Sequence, residues 1–377
     1  MAGIYIHIPF CKSRCIYCDF YSTTRLQDRE EYVRCIEQEL ALRAPAFAQQ
    51  MAAQGDVLKT VYFGGGTPSM LRESNIKDIL QAIRKRFCCS HIEEITLEAN
   101  PGDLSEDKLV GLRKAGINRL SMGVQSFQDT LLHRLSRRHS GAEAIAAVKT
   151  ARRAGFENIS IDLMYGLPQQ TMDQWIADVE QAIQLDVEHI SAYCLTYEEG
   201  TPLYRMLQKG EVSELDEELC NRMQDYLEEA LEKNGINRYE ISNYAKDGYH
   251  SKHNGSYWTG APYLGLGAGA HSYDGAYLRQ WNPDDIVTYM ATIQKGELPL
   301  EDEVLSETDR YNESVMLGLR TREGIQLNRF SIADRAKILT ESASFLREGL
   351  LVQTSTSIRA THAGMRILNM IIEALMK

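Results

Sequence analysis

The sequence predicts an α/β protein: a partial (β/α)6 barrel of the TIM type, followed by a small, mainly helical, winged-helix-like C-terminal domain. Three observations carry this reading. Six short apolar segments rich in Ile, Val and Tyr recur through the first half of the chain. Amphipathic stretches separate most of them, which is the rhythm of parallel βαβ units. Glycines and polar residues gather at the C-terminal ends of the segments, where barrels and open α/β sheets place their ligands.

The strand-like segments begin at Gly3 (GIYIHIPF), Thr60 (TVYFGGG), Glu94 (EITLEANP), Arg119 (RLSMGVQSF), Asn158 (NISIDLMYGLP) and His189 (HISAYCLTYEEG). Between them, Asn75–Phe87 has apolar residues at helical spacing. Ser105 reads as an N-cap, with acidic residues in the first turn and Gly116 closing the helix. Gly141–Gly155 and Thr171–Leu185 repeat the pattern. Six strands in place of eight imply a barrel open on one side. A doubly wound sheet is the competing arrangement, because the rhythm does not encode strand order.

After Gly200 the pattern changes. Glu211–Gly235 reads as a long acidic helix, and Arg238–Trp281 is rich in Gly, Tyr and Asn with short strands at most. Ser306–Lys377 reads as several helices and a hairpin near Gly349, with a hinge at Gly296–Glu307. The expected domains are residues 1–235 (barrel), 236–300 (an extension of it) and 301–377 (C-terminal domain), a normal division of 377 residues.

Composition narrows the function classes. With 44% hydrophobic and 25% charged residues the chain is an ordinary globular protein. A net charge of −11 gives no expectation of nucleic-acid binding. No apolar run is long enough to span a bilayer, and the chain opens directly into a strand-like run, so a cytoplasmic location is expected. Eight cysteines in a chain of this length are no disulfide framework. Cys35, Cys88, Cys89, Cys194 and Cys220 are expected as small buried hydrophobes.

The other three cysteines stand as Cys11-Lys-Ser-Arg-Cys15-Ile-Tyr-Cys18. Three thiolates in a loop after a strand can wrap one soft metal centre. Structural zinc asks for four ligands, normally in two separated pairs, and no fourth Cys or His follows nearby. Iron–sulfur clusters are normally held by four Cys, so three would leave one iron open to substrate. The glycines at Gly64–Gly66 allow close backbone approach, and such a loop alone could equally cradle a phosphate.

CxxxCxYC after the first strand resembles the radical S-adenosylmethionine superfamily. There the cofactor's amino and carboxylate groups chelate the open iron, and an electron from the cluster yields a 5′-deoxyadenosyl radical. Tyr5–Cys11 (YIHIPFC), Phe63–Ser69 (FGGGTPS), Leu97–Pro101 (LEANP), Gly123–Phe127 (GVQSF) and Asp162–Pro168 (DLMYGLP) resemble one branch of it. That branch holds the oxygen-independent coproporphyrinogen III oxidases and the HemW-type haem chaperones. The likeness runs through almost the whole chain. It implies a 4Fe–4S cluster on Cys11, Cys15 and Cys18. It also implies S-adenosylmethionine contacts from Tyr5, Gly65 and Glu98, with Gly66, Thr67, Gln125, Arg137 and Asp162 in the same or an adjacent site. Arg134 and Arg138 compete with Arg137 for its place.

Within the branch, three features resemble the chaperones more than the oxidases. Phe20 stands where the oxidases have a fourth Cys. The first strand begins by Tyr5, leaving no room for the oxidases' N-terminal arm. His253-Asn254-Gly255-Ser256-Tyr257-Trp258 resembles the chaperones' HNxxYW haem signature. The implied haem-binding residues are His253, Asn254, Tyr257 and Trp258. An imidazole can ligate haem iron, and Tyr and Trp offer flat faces to a porphyrin. His250 and His271 are alternative donors, and His253 and Trp258 could instead only brace the loop. The expected function is haem binding and delivery to haem-dependent respiratory proteins, with peripheral membrane contact implied by the family. The alternative is oxidative decarboxylation of coproporphyrinogen III to protoporphyrinogen IX.

Overall fold

A computed structural model describes all 377 residues. The first six strands are β1 (Ala2–Ile8), β2 (Leu58–Gly65), β3 (Glu94–Ala99), β4 (Arg119–Gln125), β5 (Asn158–Tyr165) and β6 (His189–Cys194). All five neighbouring pairs are parallel, and the order is sequential. Sequential order distinguishes a barrel from a doubly wound sheet, in which the order reverses. β1 and β6 do not pair, so the barrel is partial.

Both free edges are covered by the chain that follows. β7 (Asn237–Arg238) and β8 (Asn243–Ala245) extend β6 in antiparallel fashion. β9 (Tyr263–Leu266) pairs in parallel with β1, and β10 (His271–Tyr273), β11 (Leu278–Trp281) and β12 (Glu301–Val304) continue outward. The Gly- and Tyr-rich stretch, expected to hold short strands at most, supplies short strands that cap a sheet edge otherwise open to unwanted pairing. Local sequence signals act where they were read. Ser105, Ser140 and Thr171 each accept a helix N-terminal amide, and Gly116 closes its helix at φ +119°.

A continuous core lies between the barrel strands and the surrounding helices, filled by Ile4, Ile6, Val61, Phe63, Leu97, Ile161 and Trp175 among others. A separate core, built around Tyr311, Val315, Ile338, Ile358 and Ile371, belongs to the C-terminal region. There β13 (Ile325–Gln326), β14 (Leu351–Gln353) and β15 (Ser357–Ala360) form a small antiparallel sheet against helices Glu307–Leu319, Ile332–Arg347 and Leu368–Leu375. No helix is long and apolar enough to cross a membrane.

Candidate radical S-adenosylmethionine site

The cysteine loop leaves β1 at the barrel mouth. Backbone bonds Cys11 N–H to Thr23 O (2.9 Å) and Thr23 N–H to Pro9 O (2.7 Å) close it into a ring. Its flank is pinned by Asp103, whose side chain is buried and accepts from Lys12 Nζ (3.0 Å), both arms of Arg138 (3.2 and 3.0 Å) and Ser69 Oγ (3.2 Å). Burial pushes the Cys11 and Cys18 thiols up, opposed in Cys11 by its bond to Thr67 Oγ1 (3.4 Å). Cys15 raises both further.

No three His, Cys, Asp or Glu side chains stand close enough to cage one metal ion. The donors of a four-iron cluster each meet a different iron, so they stand farther apart than the ligands of one ion. Three soft thiols in one loop fit a cluster. The raised pKa of Cys11 and Cys18 means that loading a cluster on them releases protons.

The glycine loop after β2 explains itself sterically. A Cβ on Gly66 would stand 2.7 Å from the Pro9 carbonyl and 3.1 Å from Cys11 Sγ. On Gly65, at φ +110°, it would meet the His7 ring at 2.7 Å. Only glycine lets β2 approach the cysteine loop this closely. The loop's amide is also engaged: Gly65 N–H donates to Glu98 Oε2 (3.2 Å), while Tyr62 Oη donates to Glu98 Oε1 (2.7 Å). Burial raises Glu98 to about 7; Tyr62 opposes that shift and Asp162 adds to it. Asp162, on β5, is raised to about 6, again by burial first, with Ser191 and Arg119 opposing. Tyr5 stacks on Tyr62 at 6.1 Å, so Tyr5, Gly65 and Glu98 come together around one point of the mouth.

Gln125 ends β4 at φ +70°, an uncommon conformation for a non-glycine residue, next to a register shift against β5. Asp178 holds the turn: it accepts from Ser126 Oγ (2.6 Å), Phe127 N–H (2.9 Å) and Gln128 Nε2 (3.2 Å). Of the three neighbouring arginines, Arg137 reaches inward. Its guanidinium donates to Cys15 Sγ (3.5 Å) and to the Gly123 carbonyl, and its buried Nε has no partner. Arg134 donates to Pro168 O at the surface, and Arg138 is taken by Asp103. Asp103, Asp178 and Tyr62 were absent from the sequence reading. Asp178 left one signal: a carboxylate on the apolar side of an amphipathic helix.

The HNxxYW segment lies at the other end of the barrel. It forms helix Lys252–Trp258, capped by Ser251 and packed on the first residues of β1 and β2. His253 is fully enclosed. Its Nδ1 is bonded to Thr60 Oγ1 (2.8 Å) and its Nε2 to Tyr257 Oη (2.9 Å). Burial lowers its pKa to about 3, so it is neutral. An imidazole with both nitrogens taken and no exposed edge cannot ligate haem iron in this conformation. In this conformation His253 braces the helix against β2, as the alternative reading of it has it. Asn254 is half-buried, its amide accepted by Ser251 Oγ. Tyr257 and Trp258 open onto a cavity of about 970 Å³ between this helix, β9–β11 and the C-terminal region. His271 is not on its wall; it stacks on Trp281 at 5.7 Å.

Residues 5–182 match the radical SAM superfamily model, and residues 305–367 match the HemN C-terminal domain model. A Bacillus subtilis protein named "Heme chaperone HemW" is 38% identical over 97% of this chain and 96% of its own length. Its Lactococcus lactis namesake is 34% identical over 98% and 96%. A bovine mitochondrial radical S-adenosyl methionine domain-containing protein 1 is 31% identical over 100% and 87%. Among solved structures, the Escherichia coli coproporphyrinogen III oxidase HemN superposes with a TM-score of 0.84 over 100% of this chain and 90% of its own, at 23% identity. That likeness is one of fold. With relatives above 30% identity aligned along both chains nearly end to end, the chain belongs to the HemW family of the radical S-adenosylmethionine superfamily.

Proposed function

We propose that this protein is a cytoplasmic haem chaperone, which binds haem and delivers it to haem-dependent respiratory proteins assembling at the membrane. The observation that carries the reading is the extent of the similarity: proteins named haem chaperones align with the barrel, its edge strands and the C-terminal region together. Phe20 agrees with it. The side chain at the oxidases' fourth-cysteine position is 70% exposed and supplies no thiol.

Cys11, Cys15 and Cys18 would hold a 4Fe–4S cluster, which when bound supplies one electron and an open iron for S-adenosylmethionine. The chain's own residues do the positioning. Gly65 and Gly66 permit close approach, Glu98 offers a carboxylate to the cofactor's cationic groups, and Arg137 sets a positive charge beside Cys15.

The oxidase reading retains support from the intact mouth and the HemN-like fold. An anaerobic assay with reconstituted cluster, reductant, S-adenosylmethionine and coproporphyrinogen III separates the two. The chaperone reading expects no accumulating protoporphyrinogen, and haemin that binds and moves on to an apo-haemoprotein. Product accumulating over many turnovers would overturn it.

A further inference from the structure

Two thiols outside the cluster loop stand side by side at the barrel mouth. Cys194 ends β6, and Cys220 lies in the first turn of helix Glu217–Lys233. A Cβ on Gly166, just after β5, would sit 3.1 Å from Cys194 Sγ and 3.3 Å from Cys220 Sγ. Gly166 takes φ +74°, and its missing side chain leaves the room that the two sulfurs fill. The thiols hydrogen-bond to each other. Neither is the buried small hydrophobe expected of it: Cys194 is exposed and Cys220 half-buried.

The chain between them, residues 195–219, crosses the cluster loop. Leu195 and Leu203 are buried in a small apolar cluster with Leu131, Met164 and Leu167, and Ile16 and Tyr17 pack against it. Leu203 N–H also donates to the Ile16 carbonyl (2.9 Å). Ile16 and Tyr17 are the residues between Cys15 and Cys18. Residues 195–219 therefore form a strap over the loop, and the two thiols mark its ends.

We propose that Cys194 and Cys220 form a reversible disulfide that clasps the strap over the cluster loop, so that cluster retention follows the redox state of this thiol pair. The proposal rests on the reading of Cys11, Cys15 and Cys18 as cluster ligands and adds a control to it.

No third Cys, His, Asp or Glu joins the pair, so it makes no metal cage. Thiol–disulfide exchange is the chemistry left to two adjacent sulfurs, with a small disulfide of the glutathione type as oxidant. One protein thiolate attacks that disulfide, forming a mixed disulfide and expelling a small thiolate. The second protein thiolate attacks the protein sulfur of the mixed disulfide and expels the other small thiolate. Two protein thiols are oxidised by two electrons, the small disulfide is reduced to two thiols, and the two protons pass to them. In a reducing compartment such a bond is transient, as a switch requires.

In the dithiol state one weak bond joins the ends of the strap, and they can part as residues 195–219 lift from Ile16 and Tyr17. The disulfide suppresses that opening by closing the ends into a covalent loop. Burial raises both thiols, Cys194 to about 12 with Cys220 adding to the shift. Exchange is therefore slow at neutral pH and quickens as pH rises.

The test is anaerobic equilibration of the cluster-loaded full chain in glutathione buffers from reducing to oxidising. Alkylation under denaturing conditions and peptide mass spectrometry identify the linkage. Trypsin cleavage after Arg205 and Lys209, both exposed on the strap, reads its opening, and iron release to a chelator reads the cluster. The oxidised protein should carry a Cys194–Cys220 bond, with strap cleavage and iron release each slowed about tenfold, the scale of suppressing a local opening. Dithiothreitol should restore the faster rates. Cys194→Ser and Cys220→Ser should each fold, load a cluster and keep the fast rates in every buffer.

Absence of the Cys194–Cys220 linkage in the most oxidising buffer would overturn the proposal. So would a linkage that leaves strap cleavage and iron release unchanged. Both results leave the cluster reading standing. Reduced wild type that takes up no cluster would bring down that reading itself, whatever the strap does.

Discussion

The imidazole of His253 stacks on the ring of Tyr62, with centroids 5.0 Å apart and planes 23° from parallel. This pair joins the two ends of the barrel. Tyr62 donates to Glu98 at the mouth, and His253 is bonded to Tyr257, which opens onto the cavity at the foot. The motif histidine is therefore part of the barrel's filling.

Truncating that ring should destabilise the protein. His253→Ala removes a buried ring, leaves Thr60 Oγ1 and Tyr257 Oη without their partner, and opens a cavity under helix Lys252–Trp258. The expected loss is about 2–4 kcal/mol, combining cavity and unmade hydrogen bonds. Urea unfolding of the variant would measure it. A midpoint equal to wild type would show that the ring does not support the fold.

Acid should act through four buried imidazoles. Burial lowers His7 and His139 to about 4, His253 to about 3, and His189 well below its ordinary value. Their folded pKa values lie below the unfolded one, so the unfolded chain takes up protons first as pH falls below about 6.5. Stability is then lost towards pH 3–4. Glu98 and Asp162 act in the opposite sense: raised to about 7 and about 6, they stabilise as pH falls, until their unfolded values near 4 are passed. Two carboxylates offset only about half of what four imidazoles lose, so the histidines win throughout. Urea midpoints should fall steadily from about pH 6 towards pH 3.5. Steepest loss near neutrality would contradict the assignment.

S-adenosylmethionine binding should carry a proton. The cofactor brings an ammonium and a sulfonium to a Glu98 that holds its own proton up to about pH 7. Binding favours the carboxylate, so affinity of the cluster-loaded protein should rise between about pH 6 and 8. Glu98→Gln should bind about tenfold more weakly, the scale of one charged hydrogen bond, and lose that pH slope. Anaerobic calorimetry in buffers of different ionisation enthalpy reads both. A pH-independent wild-type affinity would exclude Glu98 from the contact.

Gly66→Ala should separate folding from function. The new methyl would collide with the Pro9 backbone and press on Cys11, but neither neighbour belongs to the deep core. The chain should fold with little change in midpoint and fail to retain a full cluster after reconstitution. Wild-type iron and sulfide content, with the characteristic absorption, would show that the close approach is dispensable.

The sequence made the barrel legible because each of its elements is local. Short apolar runs rich in Ile, Val and Tyr write the strands, and Ser105 and Thr171 write helix starts. The cysteine spacing and the glycines were legible for the same reason, since one loop holds each. Strand order was not, because the partner of β9 is β1, more than 250 residues away in the chain. The supports of the site were hidden likewise: Asp103 joins Lys12 to Arg138, and Asp178 serves a turn some fifty residues before it. The packing of His253 was hidden likewise. A short pattern reports which residues are kept together, but only packing decides whether a ring faces a cavity or fills a core.

Asp178 offers the sharpest test of long-range support. Gln125 holds a left-handed backbone that costs on the order of 1–3 kcal/mol and persists only while its surroundings impose it. The imposing groups are the Ser126 hydroxyl, the Phe127 amide and the Gln128 side chain, all converging on one buried carboxylate. Asp178→Asn keeps the shape but replaces one acceptor oxygen with a donor, facing an amide or hydroxyl already committed to donating. The turn should relax, withdrawing Gln125 from the mouth without touching the cysteines. Cluster content should stay at the wild-type level while S-adenosylmethionine affinity falls about tenfold, comparable to losing one or two buried hydrogen bonds. Asp178→Glu would not restore it, because the longer side chain shifts all three contacts together. Equal losses of cluster and cofactor would mean that Asp178 supports the barrel as a whole; loss of cofactor alone would place its action at Gln125.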